Sequence, residues 1–248
     1  MSEFRFKQFS VKQDRAALKV GTDAVLLGTL ASLEGMTGET AELLDIGTGT
    51  GVISLIIAQR LAPIAPDWHI SAIDIDGPSI LDAGDNFTAS PWPGHLQAIH
   101  SSLQEFSGYG FDLIFSNPPF YDDSLRNPDP REANARHSAS LSYRDILAFA
   151  AECLRKPSDN FTGGRLSLIL PAEEEARLLR TAASFDLFPF RIVRIRTVEK
   201  KKPRRIVAEF RFRGERKPEL KEESLTLHTH GASTFSEDYR RLTEDFYL

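Results

Sequence analysis

Along the chain, apolar runs rich in β-branched residues alternate with stretches of helix length. The runs "AELLDI" (41–46), "HISAIDI" (69–75), "HLQAIH" (95–100), "FDLIFSN" (111–117) and "RLSLILP" (165–171) read as strands. Between and after them "GVISLIIAQRLA" (51–62), stopped by Pro63 and Pro66, "SYRDILAFAAECLR" (142–155) and "PAEEEARLLRTAASF" (171–185) read as helices. The last opens with Pro171 and three glutamates, residues that suit the positive end of a helix. Such alternation predicts an α/β fold: a mostly parallel sheet with helices on both faces.

Two further runs, "FRIVRIRTV" (190–198) and "RRIVAEFRF" (204–212), are joined only by "EKKKP". A connector that short, with Pro203 in it, predicts an antiparallel hairpin and leaves no room for a crossover helix. Upstream of the first strand, "TDAVLLGTLASL" (22–33) reads as a helix capped by Thr22 or Asp23. The tail is polar but holds a strand-like "SLTLH" (224–228) and an aromatic end. With 248 residues, 41% apolar, the chain is expected to form one domain with extensions.

Composition narrows the setting. No apolar run approaches the length needed to cross a bilayer, and "MSEFRFKQFSVKQD" lacks the apolar core of a secretory signal, so a soluble, cytoplasmic protein is expected. Cys153 is the only cysteine, which excludes an intramolecular disulfide and a thiolate metal cluster; no metal is expected. Its apolar neighbours in "AFAAECLR" point to packing, not to a nucleophile. The formal charge of −5 hides an asymmetry: residues 191–217 carry twelve Lys and Arg against three Glu, a local +9 that leaves −14 on the rest.

The candidate chemistry begins at "DIGTGTG" (45–51). Asp45 ends a strand and Gly51 opens a helix, so Gly47, Gly49 and Gly51 fall in the turn where ligands bind at the carboxyl edge of such sheets. Glycine lets a ligand lie directly on the backbone. The dinucleotide template G-x-G-x-x-G fails, because Val52 stands where its last glycine should be, and no G-K-S/T follows for a triphosphate loop. Asp74, twenty-three residues beyond Gly51 at the end of the next strand, is placed to accept hydrogen bonds from a ribose. Asp76 reads as a helix cap. The fourth strand runs into Asn117-Pro118-Pro119-Phe120, where the two prolines end the strand and remove two backbone donors, leaving carbonyl oxygens at the site.

These motifs resemble known ones. The spacing D-x-G-x-G-x-G is similar to the first motif of class I S-adenosylmethionine-dependent methyltransferases. In that pattern Asp74 holds the ribose, Ile75 packs against adenine, and "HSSLQEF" (100–106) places Ser102 at the adenine, although many relatives carry Asp there. "NPPF" resembles the N/D-P-P-Y/F/W signature of enzymes that methylate planar amino nitrogens: adenine N6, guanine N2, cytosine N4 or a glutamine amide. The Asn117 side-chain oxygen and the Pro118 carbonyl would hold the two amino hydrogens, and Phe120 would stack on a base drawn out of its helix. No strong base is needed, since the proton becomes acidic only as the methyl transfers.

Protein, DNA and RNA enzymes all share that ending, so the flanks decide. "FRFKQFSVKQDRAALKVGTDAVLLG" (4–28) resembles the start of the bacterial tRNA1(Val) (adenine(37)-N6)-methyltransferase family. The likeness continues through "FSNPPF", "ARHSASLSYRDIL" and the tail "LTEDFYL". It implies a Rossmann-like, seven-stranded fold with a cofactor-covering extension (1–40), a catalytic core (41–213) and a tail (214–248). It further implies Lys19, Thr22 and Asp23 at the methionine end of S-adenosyl-L-methionine, with Asp45 near its amino group. The implied partner is the anticodon stem-loop of a valine tRNA, touched by Arg136 and held through its phosphates by Lys200, Lys201, Lys202, Arg204 and Arg205. His137, beside Arg136, receives no catalytic role. An rRNA guanine N2, a protein glutamine, or RNA binding without turnover remain the alternatives.

Overall fold

The computed structural model describes residues 3–16, 18–36, 40–119, 141–158, 161–214, 219–229 and 234–248. Its centre is a sheet of strands β3 (Ala41–Ile46), β4 (Trp68–Asp74), β5 (Leu96–His100), β6 (Leu113–Ser116), β7 (Arg165–Pro171), β8 (Leu187–Arg196), β9 (Arg205–Phe212) and β10 (Lys221–Thr226). Their spatial order is β10-β8-β9-β7-β6-β3-β4-β5. All neighbours are parallel except β9, which runs antiparallel to both β7 and β8.

The resemblance implies seven strands; the sheet has eight. The extra one is β10, which continues the sheet edge parallel to β8. It is held there by cross-strand pairs: Glu223 takes both Arg191 nitrogens at 2.9 and 3.1 Å, and Glu222 takes Arg194 at 2.8 Å. Leu225 is its one buried residue.

The central strands are apolar on both faces because both are covered. Leu43, Ala72, Phe115 and Val207 face one core, with helices α1 (Thr22–Leu30), α2 (Val52–Leu61) and α3 (Gly77–Ala89) over it. Leu44, Ile114, Leu168 and Ala208 face the other, under α4 (Tyr143–Cys153) and α5 (Glu175–Ala183). Cys153 lies half-buried on α4, and burial pushes its thiol up, away from nucleophilic reactivity. No helix among the described residues is long and apolar enough to cross a membrane.

The predicted cap of α1 is not made. Gly21 occupies the N-cap without a side-chain bond, and the Asp23 carboxylate is taken by Arg205 Nε at 2.7 Å instead. Asp76 does cap α3, accepting from the Ser79 amide at 3.0 Å. Outside the main sheet, "FRFKQF" contributes β1 (Glu3–Arg5) to an antiparallel pair with β2 (Ser10–Lys12). Tyr247 stacks on Phe6, and Phe246 is buried beside them, so the two ends of the chain close on each other past the short helix α6 (Glu237–Thr243).

Candidate functional site

The sheet changes direction of growth at β3: β4 and β5 lie on one side of it, β6 and β7 on the other. Such a switch point opens a crevice beyond the carboxyl ends of the strands. The register fills it in order. Ile46 pairs with Ser116 on β6, which places Gly47 beside Asn117. The Gly47 amide donates to the Ile73 carbonyl at 2.9 Å, which places Gly47 beside Asp74 on the other flank. The Ser101 amide donates to the Asp74 carbonyl at 3.1 Å. Asn117, Gly47 and Asp74 thus form one row, continued on β5 by His100, with strand spacings of about 4.8 Å between them.

The glycine turn has two functions, and the three glycines divide them. All three have positive φ, 74°, 55° and 80° for Gly47, Gly49 and Gly51. A Cβ on Gly49 would meet nothing within 4 Å, and one on Gly47 would meet only Leu141 at 3.9 Å, so the bare backbone there faces open space. A Cβ on Gly51 would lie 2.4 Å from the Phe87 ring of α3. Gly51 is therefore also a packing glycine, whose missing side chain makes room for Phe87. Gly51→Ala should destabilise the fold by about 2–4 kcal/mol through overpacking and backbone strain, measured by denaturant unfolding. Gly49→Ala should cost only about 1 kcal/mol, the price of a left-handed residue without a clash.

Asp74 is fixed by two backbone amides: Gly49 donates to Oδ2 at 2.8 Å and Asp76 to Oδ1 at 2.9 Å. Each oxygen keeps a second lone pair, so the carboxylate retains acceptor capacity for two hydroxyls. Next to it Ile75 is 55% exposed, an apolar side chain uncovered at the crevice rim. Ser102, half-buried, donates its hydroxyl to Glu105 at 2.8 Å and accepts from the Glu105 amide at 3.2 Å. That hydroxyl holds a turn together, which leaves the backbone of this segment to line the crevice.

Asp45 is fully buried. Its Oδ2 accepts from Thr48 and Ser54, each at 2.7 Å, while Oδ1 has no partner among the described residues. Burial pushes its carboxyl up to about 7, against the two hydroxyls that favour the charge and with the nearby Asp74 adding to the rise. A buried acceptor without a donor is costly, and it marks where a cationic or N–H-bearing group belongs. Thr48 lies inside the glycine motif and was within reach of sequence reading; Ser54, one turn into α2, carried no signal.

Asn117 is half-buried and Pro118 buried, directly after β6. Ser116 Oγ donates to the Ile46 carbonyl at 2.7 Å, tying this strand end to the glycine turn. Phe120, Arg136 and His137 lie outside the described residues.

The N-terminal segment reaches the same edge. Asn86 of α3 binds the Lys12 amide and carbonyl and the Thr50 carbonyl at 2.8–2.9 Å, and Asp82 accepts from the Arg15 and Ala16 amides at 2.8 and 2.9 Å. The anchors to Lys12, Arg15 and Ala16 were not legible in the sequence, since they sit 66 to 74 residues from their partners. Asp23 is fixed at the far side by Arg205, at the start of β9. Lys19 and Thr22 lie exposed between these two attachment points.

The hairpin turn lies at the same edge, because Pro171, the carboxyl end of β7, pairs with Arg205. The basic residues of the hairpin fall into two groups. Arg191 and Arg194 are tied to Glu209, Glu223, Glu175 and Glu222, and Arg205 to Asp23, so these three hold the fold together. Lys200, Lys201, Lys202 and Arg204 are exposed and have no ion pair among the described residues.

Known proteins share these features. The methyltransferase small domain family matches residues 15–139. A tRNA1(Val) (adenine(37)-N6)-methyltransferase of Bacteroides thetaiotaomicron is 37% identical, over 99% of this chain and 97% of its own. One of the same description from Flavobacterium johnsoniae is 37% identical over 99% of both chains, and one from Aeromonas salmonicida 35% over 100% and 98%. Among solved structures, a predicted O-methyltransferase from Agrobacterium tumefaciens superposes with a TM-score of 0.62 at 17% identity, over 90% of this chain and 96% of that one. The T. thermophilus 16S rRNA N2 G1207 methyltransferase, solved with AdoMet and guanosine, gives 0.55 at 19%, over 86% and 50%. Those two establish the fold alone; near-full-length identity above one third establishes more, and the chain belongs to the tRNA1(Val) (adenine(37)-N6)-methyltransferase family.

Proposed function

We infer that the protein methylates N6 of adenosine 37 in the anticodon loop of tRNA1(Val), with S-adenosyl-L-methionine as donor. The observation that carries this reading is the row Asn117, Gly47, Asp74, which sets amide acceptors beside a bare-backbone cradle and a ribose-type carboxylate. The residues present fit the cofactor. Gly47 and Gly49 leave room against the backbone, Asp74 has two lone pairs for the ribose hydroxyls, exposed Ile75 offers an apolar surface for adenine, and the unpartnered Asp45 oxygen fits an ammonium. Lys19, Thr22 and Asp23 would hold the methionine end, and the Ser102 segment would close the adenine side. When bound, the cofactor supplies an electrophilic methyl group.

The chain's own part is geometry. An adenine amino nitrogen is a poor nucleophile because its lone pair is delocalised into the ring. Asn117 Oδ1 and the Pro118 carbonyl each accept one amino hydrogen, which turns the lone pair out of the ring plane toward the donor. Pro118 and Pro119 lack N–H groups, so no competing donor stands there. Phe120 stacks on the extruded base, and Arg136 with Lys200, Lys201, Lys202 and Arg204 binds the backbone phosphates. Such a substrate places the protein in the cytoplasm.

Asp45 makes cofactor binding pH-dependent. The ammonium favours the ionised carboxylate, and the carboxyl of the free protein titrates near pH 7. Affinity should therefore fall about tenfold per unit as pH drops below 7 and level off above it, as read by calorimetry. Asp45→Asn should lose both the affinity and its pH dependence.

Replacing Lys200, Lys201, Lys202 and Arg204 together by Ala should weaken tRNA binding and lower the slope of log affinity against log salt by up to about 3 to 4. Arg205→Ala should instead change cofactor binding, through Asp23. The reading itself is tested by incubating the protein with tRNA from a strain lacking this gene. The expected product is N6-methyladenosine; N2-methylguanosine alone would overturn it.

A further inference from the structure

The amino edge of the sheet, opposite the methyl-transfer crevice, carries a second group of chemistry-bearing side chains. Asp67, His69 and His95 each present one ligand atom, and these atoms lie within 4.8 Å of one another. The sheet explains the meeting. Ile70 on β4 pairs with Leu96 on β5, and the Ile70 amide donates to the His95 carbonyl at 2.8 Å, so His95 stands beside His69 with ring centres 6.0 Å apart. Asp67, two residues before His69, projects to the same face of the strand.

Two of the three, His95 and Asp67, are also held by a hydrogen bond in the way metal ligands are held. His95 Nδ1 lies 2.7 Å from the Trp68 carbonyl, which can only accept, so Nδ1 is the donor and in the neutral ring Nε2 is the nitrogen left for a metal. The Trp68 indole stacks on the same ring at 4.4 Å and fixes its plane. Asp67 Oδ2 accepts from Thr40 at 3.1 Å. His69 Nδ1 faces Glu42, its pairing partner on β3, at 3.6 Å.

Two imidazoles and a carboxylate make a donor set for a borderline-soft first-row ion, not for magnesium or calcium. We propose that Asp67, His69 and His95 form a binding site for a divalent first-row transition ion such as zinc, with water completing the coordination. Tetrahedral bonds of about 2.0–2.1 Å put neighbouring ligand atoms about 3.4 Å apart, so the three must draw in by about 1 Å. His69, with about half of its side chain exposed, has the freedom to do so. The ion would fasten the amino ends of β4 and β5. It takes no part in methyl transfer, because the five residue steps from His69 to Asp74 separate the two sites by about 17 Å.

The test uses the untagged full-length chain, stripped with a chelator and titrated with zinc chloride by calorimetry and with cobalt chloride by absorption. The proposal predicts a single equivalent bound, visible cobalt bands of tetrahedral type and a higher Tm with zinc. His95→Asn and Asp67→Asn should each weaken binding at least about tenfold and remove the bands, with methyl transfer unchanged. Absence of zinc binding in the unmodified chain, or binding by both variants as tight as wild type, would overturn it.

Discussion

Asn117→Ala lowers the rate of methyl transfer by about 10²- to 10³-fold and leaves the affinity for S-adenosyl-L-methionine unchanged. In the proposed mechanism the side chain is one of the two acceptors that hold the amino group, and it lies one residue beyond a strand end tied to the glycine turn by Ser116. Removing it takes away an interaction that matters as the nitrogen rehybridises, not one that binds the donor. The loss should therefore appear in kcat more than in KM. Asn117→Asp keeps an acceptor oxygen at the same position, and partial activity in that variant separates the role from simple misfolding. Single-turnover rates with saturating cofactor check both. Wild-type rates in Asn117→Ala would remove the proposed mechanism.

Asp74→Ala should lose about 100- to 1,000-fold in cofactor affinity, because two hydrogen bonds to a charged acceptor are together worth about 3–4 kcal/mol or more. The loss has a second source. The same carboxylate ties the Gly49 amide to the Asp76 amide, so the cradle and the start of α3 lose their common anchor. Asp74→Asn retains one oxygen and should fall between the two. Calorimetry reads the affinity, and a Gly49→Ala comparison shows how much comes from the cradle alone.

Much of this was legible along the chain, for identifiable reasons. Strands β3 and β7 read to the residue because both their faces are buried and their sequences are near-continuous apolar runs. The positions of the glycine turn, Asp74 and Asn117 read because each sits at or immediately after the end of a strand. What did not read depends on distant partners. Gly49 and Gly51 look alike until Phe87, thirty-six residues on, fills the space above one of them. Arg205 looks like its basic neighbours until Asp23, 182 residues away, neutralises it. The strand character of "SLTLH" was visible, but its addition to the sheet depends on Arg191 and Arg194 meeting Glu223 and Glu222. Asp67, His69 and His95 carry no spacing signature, since only strand pairing brings β5 to β4.

The division of the basic hairpin has a functional consequence. Its paired arginines fasten β8, β9, β10 and α1, while the exposed turn cations are the ones proposed to bind phosphate. Because Arg205 joins Asp23 at the start of α1, the hairpin and the N-terminal segment share a point of attachment.

The central claim is that the amino group of one adenosine receives the methyl. Its most direct test compares unmodified tRNA1(Val) transcript with the same transcript carrying guanosine at position 37, each incubated with the protein and labelled S-adenosyl-L-methionine. The account predicts stoichiometric labelling of the first as N6-methyladenosine and none of the second; equal labelling of both, or none of either, would contradict it.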